Sequence, residues 1–444
     1  MSATERKSPL KAILDIRRQE LPLALSMFGY FFLVITTFWI LKPLKKGLFI
    51  QHYDATGFSI FGAEFSASEA ELLAKVANMF VAFVAVVAFT WLVRHFRRQQ
   101  LTLVFSAFFG VCFVAYNMLL GAEGGPGSGV VWSFYLFGDL YSTLMVATFF
   151  AFMNDSVDSD KAKRLYGLVG LGGVAGGVFG TTTVRTQIKN IELGEWMWVS
   201  LAIALFIAAL ALYAGRLVDR DPPPAAPKKE EAPKKAGNPA FEGAALVFRS
   251  KYLLSVVAIV GLYEIASTVM DFQFTATIAH YLDGPAIGEQ FATVYTITNI
   301  ASLVVQLLLT SFVMTRFGVG IALMILPAAI LLGSAVFVVA PVLWVGSLLN
   351  TTDNAFSYSI NQSAKEALYV PTTSEEKYKA KAFIDMFVQR FAKAIAVGVS
   401  LGLGAIADDF SALRWLSGFT IVVVLLWLVA VRYVGREFKE MEGR

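Results

Sequence analysis

Three lysines, Lys42, Lys45 and Lys46, close the apolar stretch TTFWILKPLKKGLF at residues 36–49. Their i, i+3, i+4 spacing gathers three ammonium groups on one side of a helix, with Leu41, Leu44 and Leu48 on another face. A Lys or Asp at the centre of a membrane helix costs about 2.5–3.5 kcal/mol on insertion scales, so such groups face protein or water rather than acyl chains. Together they can hold an anion. The alternative for each lysine is a place at the outer interface, where its stem lets the head snorkel into water.

Further polar residues interrupt other apolar runs. FGDLYSTLMVATFFAFMND carries Asp139 in its outer third and Asn154 and Asp155 at its inner end. GLYEIASTVMDFQFTATIA carries Glu264, Asp271 and Gln273, and SLLNTTDNAFSYSINQSAKEALYV carries Asn350, Asp353, Asn354, Asn361, Gln362, Lys365 and Glu366. These are the fourth, seventh and tenth apolar runs, and the lysine stripe is on the first, which suits a polar path. In the eleventh run, Asp385, Gln389 and Lys393 stand at i, i+4, i+8 with Arg390 beside them. Asp385, Arg390 and Lys393 are expected to form a cytoplasmic-side gating network, the alternative being interhelical salt bridges that bind nothing.

Other chemistries find no support. A single cysteine, Cys112, excludes an intrachain disulfide and a thiolate metal cluster. His52, His95 and His280 lack metal-motif spacing, so no metal and no other cofactor is expected. YGLVGLGGVAGGVFG, residues 166–180, lacks the closing Gly-Lys-Ser/Thr of a phosphate loop and has no strand before it. Its Gly172/Gly176, Gly173/Gly177 and Gly176/Gly180 pairs are small-xxx-small contacts that let helix backbones approach. No nucleophile–base pair stands out, and the chain is not expected to be an enzyme.

The 444 residues are 57% hydrophobic and 16% charged, against about 45–50% and about 25% in soluble domains. This is an all-α integral membrane protein, and its net charge of +4 does not suggest nucleic-acid binding. Stretches long enough to span a bilayer fall near 21–47, 68–93, 101–121, 130–153, 164–186, 195–215, 250–276, 288–314, 319–340, 342–368, 380–404 and 412–434. The first is read as a retained helix rather than a signal peptide. A Pro-, Lys- and Glu-rich segment divides these twelve transmembrane helices into an N-terminal six-helix half (1–215), a cytoplasmic linker (216–249) and a C-terminal six-helix half (250–444). Most of the 37 basic residues lie at the termini, in the linker and in loops on the same side, whereas the opposite loops hold Arg185, Lys189 and Arg414. Both termini are therefore expected in the cytoplasm. The halves also repeat weakly, since FMNDSVDSDKAKRLYGL and YVPTTSEEKYKAKAFID each place Lys-x-Lys after a polar exit. Such parallel repetition is how a major facilitator-like architecture shows itself in sequence.

LKPLKKGLFI followed by FGAEF, then GDLYSTLMVATFFAFMND, DKAKRLYGLVGLGGVAGG and SAKEALYVPTTSEEKYKAKAFIDMFVQRFAK, resemble the ATP/ADP translocase-type nucleotide transporters of plastids and intracellular bacteria. These are members of the major facilitator superfamily. The resemblance implies a quartet of charged substrate residues. Lys45 matches the lysine of the family's Arg-x-x-Lys-Asp block, with Lys42 at the arginine position. Asp139 and Asp271 match its glutamates in the fourth and seventh helices, and Lys365 the lysine of the tenth. Lys46 stands where the family has an acid, and Thr275 where it has a lysine.

The expected function is a secondary active transporter that moves an anionic, phosphate-bearing, nucleotide-like solute by alternating access. Lys42, Lys45 and Lys365 would meet the anion, while Asp139 and Asp271 would orient a polar moiety or take a coupling proton. Expected partners are this small solute and membrane lipids, with the protein a monomer in a bacterial inner membrane. The alternatives are a flippase-like transporter of an anionic lipid or other metabolite, and a non-transporting receptor or scaffold.

Overall fold

A computed structural model describes residues 17–96, 98–157, 159–220, 239–372, 380–406 and 410–442. The helices follow the apolar runs: α1 (Leu21–Thr56), α2 (Ala67–His95), α3 (Arg98–Leu120), α4 (Ser128–Ser156), α5 (Ser159–Gln187) and α6 (Glu195–Arg220). After a short α7 (Pro239–Arg249) come α8 (Lys251–Tyr281), α9 (Pro285–Arg316, with a π turn over Val305–Thr310), α10 (Val319–Val339), α11 (343–367), α12 (381–404) and α13 (Leu413–Glu442). Helices suit these stretches because hydrocarbon offers backbone amides no partner but each other. Ten are long and apolar enough to cross a membrane. Among the described residues the two other long helical stretches are α11 and α12, interrupted by π turns at Ser357–Asn361 and Ile384–Val388. Both carry charged residues within their length, Lys365 and Glu366 on α11 and Asp385, Arg390 and Lys393 on α12.

Two features differ from the sequence reading. A two-stranded antiparallel hairpin, β1 (Phe58–Ile60) and β2 (Ala63–Phe65), follows α1. Its two-residue turn puts Phe61 and Gly62 at φ 53° and 83°, the twist that matches a hairpin, although Phe61 bears the steric cost of a side chain there. The stretch 216–249 is also not wholly without structure, because α6 continues to Arg220 and α7 occupies its end. Val247 is buried and Ala244, one turn earlier, is half-buried, so a short apolar face docks α7 on α8. Residues 221–238 of the expected linker lie outside the described residues.

The chain forms two compact units, one drawn from Met1–His52, Ala77–Glu231 and Gly288–Thr296, the other from Tyr53–Val76, Ala232–Ile287 and Ile297–Arg444. In the first, α3 packs on α4 and α6 around an aromatic core that includes Tyr30, Phe109, Phe134, Tyr141, Phe149 and Phe152. In the second, α13 lies against α8 and α10, with Trp427, Ile259, Leu326 and Ile330 buried between them.

The glycines of α5 press against α1. A Cβ at Gly172 would lie 2.8 Å from the Phe28 carbonyl oxygen, and one at Gly180 2.6 Å from that of Thr36. The Thr36 hydroxyl donates to the Gly176 carbonyl at 3.3 Å. Close backbone packing of this kind, rather than water exclusion, drives helix association in lipid. Gly180→Ala is therefore expected to destabilise the protein by about 1–3 kcal/mol, the range for an overpacked core. Gly170→Ala, whose Cβ meets no heavy atom within 4 Å, is the neutral control, and thermal unfolding in detergent compares the two.

Candidate functional site

The first unit brings Lys42, Lys45 and Asp139 together where the second half of α1 meets α4. Lys45 is 5% exposed and forms an ion pair with Asp139, which is 27% exposed. Its ammonium also donates to the Tyr135 carbonyl at 3.3 Å and lies 4.3 Å from the Tyr135 ring centre. The residue before Asp139 makes this possible. A Cβ on Gly138 would come within 2.6 Å of Lys45 Cδ, so the glycine leaves the channel in which the lysine stem lies. The neighbouring cations are held over rings: Lys42 is 4.5 Å from Trp39 and 4.9 Å from Tyr295, and the buried Lys46 is 5.2 Å from Phe291. An aromatic face attracts a cation through its quadrupole, and more strongly where water is scarce. Three lysine side chains within two turns of helix are thus each held against a ring, Lys45 also against a carboxylate.

The second unit holds a more acidic cluster. Asp271 on α8 takes Lys75 of α2 at 2.5 Å and the amide of Asn350 on α11 at 3.3 Å. Lys75 reaches Glu71 one turn away at 2.8 Å. Ser267, one turn before Asp271, donates to Asp353 at 2.6 Å. Lys365 is half-buried, 5.1 Å from the Tyr263 ring centre. On α12, Lys393 pairs with Glu264 at 3.0 Å. Arg390 is half-buried on the same helix, and the Asp385 side chain lies outside what the structure describes.

Sequence reasoning assigned no role to Lys75, Glu71, Ser267 or Gly138, and counted Asn350 and Asp353 only as polar. Glu71 and Lys75 had a readable signal, an acid and a base at i, i+4 inside a predicted span. Gly138 had none, since its use depends on where Lys45 lies. A separate cavity of about 760 Å³ between α3 and α6 is lined by Leu103, Val111, Val114, Met118, Leu201 and Leu205 among others. No charged side chain lines it, so it offers nothing to an anion.

Comparison with known proteins agrees with this picture. The sequence profile of the TLC ATP/ADP transporter family matches residues 130–343 and 338–438. An ADP,ATP carrier protein 1 of Chlamydia muridarum is 23% identical over 95% of this chain and 90% of its own length. A chloroplastic ADP,ATP carrier protein 1 of Arabidopsis thaliana is 25% identical over 70% of this chain, which spans only 55% of that relative. Among solved structures, a single-residue mutant of the nucleoside transporter NupG aligns with 94% of this chain and 99% of its own at a TM-score of 0.59 and 14% identity. The major facilitator superfamily transporter FucP, in its outward conformation, aligns over the same shares at a TM-score of 0.55 and 14% identity. Such identities establish a shared fold, here that of the major facilitator transporters. With its profile matched from residue 130 to residue 438, this multi-pass membrane protein belongs to the TLC ATP/ADP transporter family, a family of carriers and not of enzymes.

Proposed function

We propose that the protein carries a nucleotide across the membrane by alternating access, with Lys42, Lys45 and Lys365 meeting the phosphates and Asp139 and Asp271 setting the orientation of the site. The observation that carries this reading is the Lys42–Lys45–Lys46 stripe, three ammonium groups fixed over rings and a carboxylate inside a membrane helix. A lysine binds phosphate as a point charge and does not demand planar, bidentate geometry. Asp139 pairs with Lys45 until a phosphate oxygen takes its place, and Lys75 pairs with Asp271. Asp385, Arg390 and Lys393 are proposed to bias one conformation. The excess of Lys and Arg at the termini and linker supports a bacterial inner-membrane location with both termini in the cytoplasm.

A ligand that binds only the folded state stabilises it, by about 2.7 kcal/mol at one hundred times its Kd. Thermal unfolding of the purified protein against nucleoside di- and triphosphates, sugar phosphates and lysolipids tests the reading. A rise in Tm with nucleotides and not with lysolipids is expected. A rise with lysolipids alone would contradict the nucleotide reading and favour the movement of anionic lipid.

A further inference from the structure

Helices α8 and α11 face each other through two polar rungs. On α8, Ser267 and Asp271 are one turn apart, and on α11 so are Asn350 and Asp353. The Ser267 hydroxyl donates to Asp353 Oδ2, and the Asn350 amide nitrogen donates to Asp271 Oδ1. Each rung leaves one oxygen over. Asp353 Oδ1 and Asn350 Oδ1 are both buried, on side chains 2% and 1% exposed, and neither has a donor among the described residues. A buried acceptor without a donor costs free energy, and a buried carboxylate costs more than an amide. Two such acceptors one turn apart on a single helix call for something positive between or upon them.

We propose that Asp353, with Asn350 and Ser267 beside it, is a binding site for a small monovalent cation, either a proton or Na⁺. A proton would bond to Asp353 Oδ1 and turn that acceptor into a donor. Na⁺ would take the same oxygen with those of Asn350 and Ser267, a hard-oxygen set. One carboxylate with neutral oxygens matches a single positive charge, whereas sites for divalent ions recruit several carboxylates. Asp353 interacts electrostatically with Glu264, Asp271 and Lys365 and with the phenols of Tyr263 and Tyr358, and Lys393 and Lys75 stand behind the two acids. Helix α10, packed against the other side of α11, has no titratable residue, and neither has the π turn of α9. Glu264 and Asp271 already hold Lys393 and Lys75, so the neighbouring acids are paired and Asp353 is the carboxylate with an oxygen left over. The π turn Ser357–Asn361 begins one turn further on, and such turns often mark functional stretches of a helix.

The site is distinct from the lysine stripe, and only its coupling role rests on the transport reading. The cation would enter from one aqueous phase and leave to the other, its gradient driving net movement of the solute. The first test needs no nucleotide. Thermal unfolding of the full chain is compared in NaCl and choline chloride, and in choline at acidic and alkaline pH, for wild type, Asp353→Asn and Asn350→Val. A Tm that depends on Na⁺ identifies the ion; one that depends on pH alone identifies the proton. In either case the dependence is lost in Asp353→Asn. Asn350→Val, which keeps the carboxylate, weakens the Na⁺ dependence and serves if Asp353→Asn fails to fold. A wild type indifferent to both, or a dependence unchanged in the variants, overturns the site. Nucleotide exchange in vesicles separates the two claims. Exchange without any cation dependence leaves the transport reading and overturns the coupling role; a cation-dependent Tm without nucleotide binding leaves the site and overturns the transport reading.

Discussion

Asp139→Asn is expected to lower stability and abolish transport together. Lys45 is almost wholly buried and its ammonium faces the Asp139 carboxylate, so the Asn variant takes that carboxylate's charge from a lysine in a low-dielectric setting, where the Tyr135 carbonyl and ring are weaker partners. Removing one partner of a buried pair costs about 3–5 kcal/mol. The loss in stability alone would not show a role in binding. The informative variant is the double one, Lys45→Met with Asp139→Leu, which removes both charges and keeps the volume close. A buried pair replaced by apolar groups is often neutral or stabilising. The double variant should therefore regain a Tm near wild type while nucleotide binding stays absent. Recovery of both would mean that the pair serves only the fold.

Asp271→Asn should behave differently, losing transport with little loss of stability. Its partner Lys75 keeps Glu71 at 2.8 Å, so no cation is stranded, and Asp271 itself is 29% exposed. Removing one partner costs less where the other keeps a second counter-charge than where a buried charge loses its carboxylate. If Asp271 orients the substrate, removing its charge should weaken nucleotide binding at least about tenfold, the equivalent of about 1.4 kcal/mol. Lys75→Gln, which takes the lysine from Asp271 and keeps the Asn350 amide on it, should change affinity in the same variant series without unfolding the protein. A Tm loss in Asp271→Asn as large as in Asp139→Asn would contradict this asymmetry.

The helices and the candidate charges were legible because the membrane punishes their misplacement. Apolar runs had to be helices, and Lys45, Asp139, Asp271 and Lys365 had to face inward, whatever their partners. Partner choice was not legible. That Asp139 meets Lys45 depends on the gap left by Gly138, and that Asp271 meets Lys75 depends on where α2 begins. Both are facts of packing between segments distant in sequence. Local chemistry misled at two places. Phe61–Gly62 is a weak hairpin signal beside Asn-Gly or Asp-Gly, and the apolar face of α7 was hidden in a segment whose composition is that of a tether.

We propose that the lysine stripe serves a nucleotide carrier. Uptake of labelled ATP into vesicles reconstituted with the protein and preloaded with ADP tests it most directly. Uptake above that of protein-free vesicles is predicted, saturable, suppressed by excess unlabelled nucleotide, and lost in Lys45→Gln with Asp139→Asn, a pair in which neither side chain is charged. No uptake by the folded wild type, or equal uptake by wild type and the uncharged pair, would contradict the account.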